Sequence, residues 1–162
     1  MALYHFSVRH VSRGKGQMVV ASAAYISGQR IFDSYYNKIH DYTSKSGVVF
    51  TEILTPEYVP ERLTDRETLW NEVEHVERNN KAQLAYSFDI ALQNELTLEE
   101  NIKLAKEFCQ EQFVARGMIV DLAVHEGKSD NEEEPDNPHF HVLVPIRPFT
   151  EEGIWGNKQR RE

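Results

Sequence analysis

Two stretches in the C-terminal third of the chain alternate apolar and polar residues with the strand period of two, and an acidic run separates them. In Met118 to Glu126 the apolar set is Val120, Leu122 and Val124, opposed by Asp121, Ala123 and His125. In His139 to Ile146 it is Phe140, Val142 and Val144, with His139 and His141 on the other side. The intervening Ser129-Asp-Asn-Glu-Glu-Glu-Pro-Asp-Asn137 can only be an exposed loop, so the pattern predicts an antiparallel hairpin. No other feature constrains the chain as much. Successive strand residues point to opposite faces, so His139 and His141 share one, and a hairpin closed around the loop sets His125 opposite the start of the second strand. Three imidazoles then converge on an open face. Three neutral nitrogen ligands hold a divalent ion without cancelling its charge and leave coordination positions free, which suits a Lewis acid. Without that pairing the same histidines are ordinary surface residues beside an acidic loop. His5, on the polar side of the first strand, is a candidate to support the ligands; His10, His40 and His75 read as surface.

The rest of the chain alternates strands and helices. Tyr4, Phe6 and Val8 alternate with His5, Ser7 and Arg9 as a half-buried strand. Val20, Ala23, Ala24, Ser27 and Ile31 recur at helical spacing as a narrow stripe of small residues, which predicts close packing on a neighbour. Residues 33–47 show no period and read as a loop, followed by a strand at Val48 to Leu54. Thr64-Asp-Arg-Glu67 and Thr97-Leu-Glu-Glu100 have capping-box spacing. They open helices with Leu69, Val73 and Val76, and with Leu98, Ile102, Ala105, Phe108 and Cys109, facing inward. Between them Gln83 to Leu92 reads as a strand with Ser87 and Asp89 on its polar face. The order predicts a mixed α/β domain: a central antiparallel sheet with helices packed mainly on one face and the other face free for chemistry.

Charge decides which partners that face could take. The net charge of −8 over 162 residues argues against a polyanion at first sight. It is unevenly spread. Residues 1–50 carry six Lys/Arg against two acids (+4), residues 51–138 carry eight against 21 (−13), and residues 139–162 carry four against three (+1). A basic N-terminal surface therefore stays open as a polyanion site. The single Cys109 excludes an internal disulfide framework, and no stretch reaches the length of a bilayer span, so the sequence predicts a cytoplasmic protein without membrane insertion.

A three-histidine centre could serve hydrolysis, hydration or phosphoryl transfer. On composition alone Tyr25 is an interface aromatic, offset from the core stripe among small neighbours. Taken together, however, Tyr4-His-Phe-Ser-Val-Arg9, Ser22-Ala-Ala-Tyr-Ile-Ser-Gly28, Asp41-Tyr42, Glu52-Ile-Leu54 and Asn137-Pro-His-Phe-His-Val142 resemble the N-terminal relaxase domain of the MobA/MobL plasmid mobilisation proteins, within the HUH endonuclease superfamily. The resemblance covers essentially the whole chain. It implies Tyr25 as a nucleophile that nicks one strand at a plasmid origin of transfer through a 5′-phosphotyrosyl link, and rejoins it. It also implies His125, His139 and His141 as ligands of a divalent ion, expected to be Mn or Mg in cells, with Zn, Ni and Co also open. A tyrosine upstream of the histidines is the relaxase order; replication initiators usually reverse it. The remaining alternatives are such a rolling-circle initiator, a three-histidine metal hydrolase or a non-enzymatic DNA-binding module that needs no metal. Single-stranded DNA needs a basic groove with stacking aromatics, and Arg9, Arg13, Lys15, Arg30, Tyr35, Tyr36 and Tyr42 are the candidates.

One departure stands out. Many relatives carry a Glu in the middle strand where this chain has Ser87, which cannot act as a base. Asp89 shares its face and could accept the Tyr25 proton or orient a ligating histidine; it could equally be a surface Asp at a sheet edge. The resemblance further implies origin DNA with an adjacent hairpin as partner, and other mobilisation or coupling proteins beside it. Residues 1–162 are then expected to be the catalytic N-terminal piece of a longer mobilisation protein.

Overall fold

The computed structural model describes residues 6–128, 131, 133 and 136–158. Tyr4 and His5, and residues 129, 130, 132, 134 and 135 of the acidic run, lie outside the described residues. Among the described residues, seven strands and three α-helices follow in the order β1 (Phe6–Ser12), α1 (Val19–Ser27), β2 (Arg30–Asp33), β3 (Lys38–Asp41), β4 (Val48–Leu54), α2 (Arg66–Val76), β5 (Gln83–Ala91), α3 (Leu98–Gln112), β6 (Val120–His125) and β7 (His139–Pro145). Five strands form one sheet in the order β1-β5-β7-β6-β4, with every neighbouring pair antiparallel. This is the mixed α/β architecture with a central antiparallel sheet that the alternation predicts.

The apolar rows of β6 and β7 define one face. Val120, Leu122, Val124, Phe140, Val142 and Val144 are buried there with Ala105 and Cys109 of α3. Helix α3 starts on a complete capping box: Glu100 N–H donates to Thr97 Oγ1 and Thr97 N–H donates to Glu100 Oε1. Burial pushes the Cys109 thiol up to about 12, so it serves as a small apolar side chain.

The opposite face is more covered than the sequence suggests. Helices α1 and α2 bury Val20, Ala23, Ala24, Leu69, Trp70 and Val73 against Ala85, Ala123 and Leu143. Each large side chain so buried contributes about 1.5–3 kcal/mol. Asp121, wholly buried on this face, holds α2 down by accepting from both Arg66 Nε (2.8 Å) and Nη2 (2.7 Å) and from Trp70 Nε1 (2.8 Å). The second layer of helices thus leaves free only part of the face.

Four local expectations need correction. Residues 33–47 are not all loop: β2 and β3 form a separate two-stranded hairpin, with Ile31 opposite His40. Its inward side carries Asp33 and His40, which bond to each other (2.9 Å), so a polar pair breaks the apolar alternation that would have announced it. His40 is accordingly buried rather than surface. Ile31 is no part of α1, which stops at Ser27 because Gly28 takes a left-handed φ of 66° and its N–H returns to Ala24 O. The cap of α2 is Asp65, accepting from Thr68 N–H, while Thr64 closes the preceding 3-10 turn. Finally, Leu98 at the first turn of α3 is exposed rather than inward, whereas Phe6 and Val8 are about half-exposed on the edge strand β1, in keeping with a half-buried strand.

Candidate metal centre and tyrosine

The strand register builds the site. His125 pairs directly with His139, and Ala123 with His141, in the β6–β7 ladder; His141 pairs on its other side with Asp89 of β5. The ring centroids lie 5.0 Å (His125–His139), 4.6 Å (His125–His141) and 5.0 Å (His139–His141) apart. One nitrogen from each lies within 4.8 Å of the others, which is compatible with a divalent metal ion. Two of the rings are already oriented as ligands usually are. His125 Nε2 is 2.9 Å from Ile26 O and His139 Nδ1 is 2.9 Å from Asn137 O. A carbonyl only accepts, so those nitrogens carry the protons, and the lone pairs sit on His125 Nδ1 and His139 Nε2.

Burial favours the neutral form of His125 and His141. It lowers the pKa of His125, and takes His141 down to about 4, with the neighbouring His125 adding repulsion and Asp89 opposing it. Neutral imidazole is the form that binds a metal. The same shift fixes a stability dependence on pH. An unfolded histidine titrates near about 6.5, so below that pH the unfolded chain takes up a proton that folded His141 refuses until about 4. The metal-free protein is expected to hold its full stability above pH 6.5 and to lose part of it as pH falls towards 4. Urea midpoints measured across this range should decline less in His141→Asn than in the parent; parallel declines would show that His141 is not the group responsible.

Tyr25 stands beside this cluster. It is 51% exposed on α1, and the next residue, Ile26, supplies the carbonyl bonded to His125. Tyr42 meets its ring edge-on at 5.3 Å, and Lys45 Nζ lies 3.5 Å from its centroid. Asp89 flanks His141, and Ser7 and Arg9 of β1 pair with Asp89 and Ser87 on the same sheet face.

The other candidate DNA residues separate into two groups. Arg9, Lys15 and Arg30 are exposed, and Tyr42 packs on Tyr25. Arg13 does not face a groove: it is 8% exposed, bonds Glu74 and the carbonyls of Glu77 and Asn79, and lies over the Tyr35 ring. Tyr35 meets Tyr36 and His75 edge-on, so these two tyrosines seat the β2–β3 hairpin beside that buried cluster.

Sequence reasoning missed Lys45, the Ile26 carbonyl and Gly127. A Cβ at Gly127 would collide with Asn137 O, the acceptor that orients His139, and its φ is 60°. The only sequence signal was a glycine directly before the loop, which does not reveal what it approaches.

Fold and site together define a class: an antiparallel-sheet α/β domain presenting a three-histidine centre at one end of the sheet, with a tyrosine on the helix bonded to that centre. Residues 17–162 match the model of the MobA/MobL family, and the chain belongs to that family. It is 37% identical over 98% of its length to the conjugal transfer protein TraA of Agrobacterium fabrum, and 34% identical over its whole length to a probable mobilization protein MobA of Bifidobacterium longum. It spans 15% and 28% of the lengths of those relatives. A solved chain described as "Molecular Basis of Vancomycin Resistance Transfer in Staphylococcus aureus" superposes with a TM-score of 0.86 at 38% identity, covering 98% of this chain and 78% of the other. Among the described residues, no helix is long and apolar enough to cross a membrane.

Proposed function

We propose that residues 1–162 form a DNA relaxase domain that cuts one strand at a plasmid origin of transfer and rejoins it. The observation that carries this reading is the bond between His125 and the carbonyl of Ile26, which locks the tyrosine helix to the three-histidine cluster. A structural tyrosine would have no need of that coupling, and a small-molecule hydrolase would have no need of the tyrosine.

The roles in this reading are as follows. Tyr25 Oη attacks phosphorus, forming the Tyr–O–P bond while the P–O3′ bond breaks; the phenol loses a proton and the departing 3′-oxygen gains one, so the overall step is proton-neutral. In this reading Asp89, whose strand position pairs with His141, takes the phenol proton. His125, His139 and His141 hold the divalent ion, which when bound supplies Lewis acidity to a non-bridging phosphate oxygen. Arg9, Lys15, Arg30 and Tyr42 border the path of the single strand, which is origin DNA with its adjacent hairpin. Other mobilisation or coupling proteins act beside it, and the work takes place in the cytoplasm.

Single-stranded oligonucleotides tiled across the replicon encoding this chain test the reading. With Mn²⁺, one of them is expected to give a protein–DNA adduct that survives denaturation, and EDTA or the double variant His139→Ala/His141→Ala to prevent it. Nicking that persists in the double variant would remove the metal from the mechanism. Binding without cleavage is expected to weaken steeply with salt.

A further inference from the structure

Lys45 has a position that DNA cutting by Tyr25 and the histidines leaves unexplained. Its side chain is half-buried and its ammonium lies over the face of the Tyr25 ring, 3.5 Å from the centroid. The backbone fixes it there. Lys45 N–H donates to Tyr42 O (3.0 Å), and the same turn wraps the end of α1, where a Cβ on Gly28 would touch Val48 Cγ2 at 3.4 Å and the Tyr42 and Lys45 carbonyls at 3.8 and 3.9 Å. Among the described residues no carboxylate pairs with the Lys45 ammonium. A half-buried cation resting on a tyrosine ring on the helix that is bonded to the histidine cluster, with no carboxylate in ion-pair distance among the described residues, is a site made for an anion.

We propose that Lys45 grips a non-bridging oxygen of the scissile phosphate and stabilises the charge that develops there as Tyr25 attacks; this rests on the relaxase reading above. Lys45 forms no covalent bond and transfers no proton, so the Oη–P bond formed and the P–O3′ bond broken balance as before. With no DNA bound, the ring face is the best partner available to the ammonium. A charge-assisted hydrogen bond to phosphate is stronger than a cation–π contact at a half-exposed site. The flexible four-carbon stem lets the ammonium move from the ring to the phosphate as the strand enters.

The test uses the oligonucleotide that forms the adduct, with affinity measured in EDTA and single-turnover adduct formation measured in Mn²⁺. Lys45→Met keeps hydrocarbon against the ring without the charge, and Lys45→Arg keeps the charge. The Met variant is expected to lose about 100-fold in rate while binding the oligonucleotide within about threefold of the parent, as loss of one phosphate contact among many requires. The Arg variant is expected to recover at least about tenfold of that rate. A Met variant as fast as the parent, a loss confined to affinity, or an Arg variant as slow as Met each overturns the proposal. Lys45→Gln replaces Met if the latter lacks a cooperative thermal transition. Failure of the parent to form an adduct with any tiled oligonucleotide overturns the relaxase reading and this proposal together. Normal cleavage by the parent and by Lys45→Met removes Lys45 alone.

Discussion

Tyr25→Phe is expected to abolish the covalent protein–DNA adduct, at least about 10⁴-fold in rate, while leaving oligonucleotide affinity within about threefold and the melting temperature within about 2 °C. The two halves of this expectation have separate causes. The hydroxyl oxygen is the attacking atom, and a phenyl ring has none to offer, so no residual nucleophile remains at that position. The ring itself survives: its edge contact with Tyr42 and the ammonium over its face both persist in Phe. At 51% exposure the lost hydroxyl leaves no buried group unpaired. Denaturing gels of the variant and the parent with labelled oligonucleotide read the first half; anisotropy and thermal melts read the second. An adduct of undiminished yield in the Phe variant would place the nucleophile elsewhere, and a collapse of the melting transition would make Tyr25 a structural residue.

How much of this was legible in the sequence depends on how local the information was. The hairpin of β6 and β7 was fully legible. Its alternation gave the strands, and pairing around the acidic loop followed, so the His125–His139 pair and the shared face of His141 could be stated in advance. Capping chemistry found α3 to the residue and α2 within one. The β2–β3 hairpin was hidden because its inward residues include Asp33 and His40, and a buried hydrogen-bonded polar pair looks like surface in a pattern of hydropathy. The second helical layer was hidden for a related reason. Ser87, Asp89 and Asp121 made that face of the sheet look solvated, yet Asp121 is wholly buried beneath Arg66 and Trp70.

The candidate site shows the same division. Its side chains were chosen by residue type, but what orients them is backbone: the Ile26 carbonyl on His125 and the Asn137 carbonyl on His139. Backbone acceptors carry no residue signature. Arg13 illustrates the opposite error. A basic residue in the basic segment invited a DNA role, yet its guanidinium faces inward, because a partner 61 positions away is buried beside it. Charge counted along the chain does not tell a solvated cation from a paired one.

Glu74→Ala is accordingly expected to cost about 3–5 kcal/mol of stability, the penalty for leaving a buried charge without its partner. Glu74 is wholly buried; its Oε2 accepts from Arg13 Nε at 3.1 Å and from Nη2, and its Oε1 accepts from Val19 N–H at 3.3 Å. Arg13 would keep the carbonyls of Glu74, Glu77 and Asn79 but lose the only opposite charge bonded to it among the described residues. The consequence reaches the site through one helix. Val19 is the first residue of α1, whose other end carries Tyr25 and the Ile26 carbonyl on His125. Where enough of the variant stays folded at low temperature, divalent-ion affinity is therefore expected to fall as well, by about 10-fold, the low end for losing a bond that orients a ligand. The double variant Arg13→Met/Glu74→Leu separates charge from shape: with both ions gone and similar volume kept, most of the stability should return. Urea unfolding of the three proteins checks the first claim and calorimetric Mn²⁺ titration the second. If the double variant is no more stable than Glu74→Ala, the loss lies in packing; if ion affinity is untouched in a destabilised Glu74→Ala, the tie from Glu74 through α1 to His125 does not govern the histidine centre.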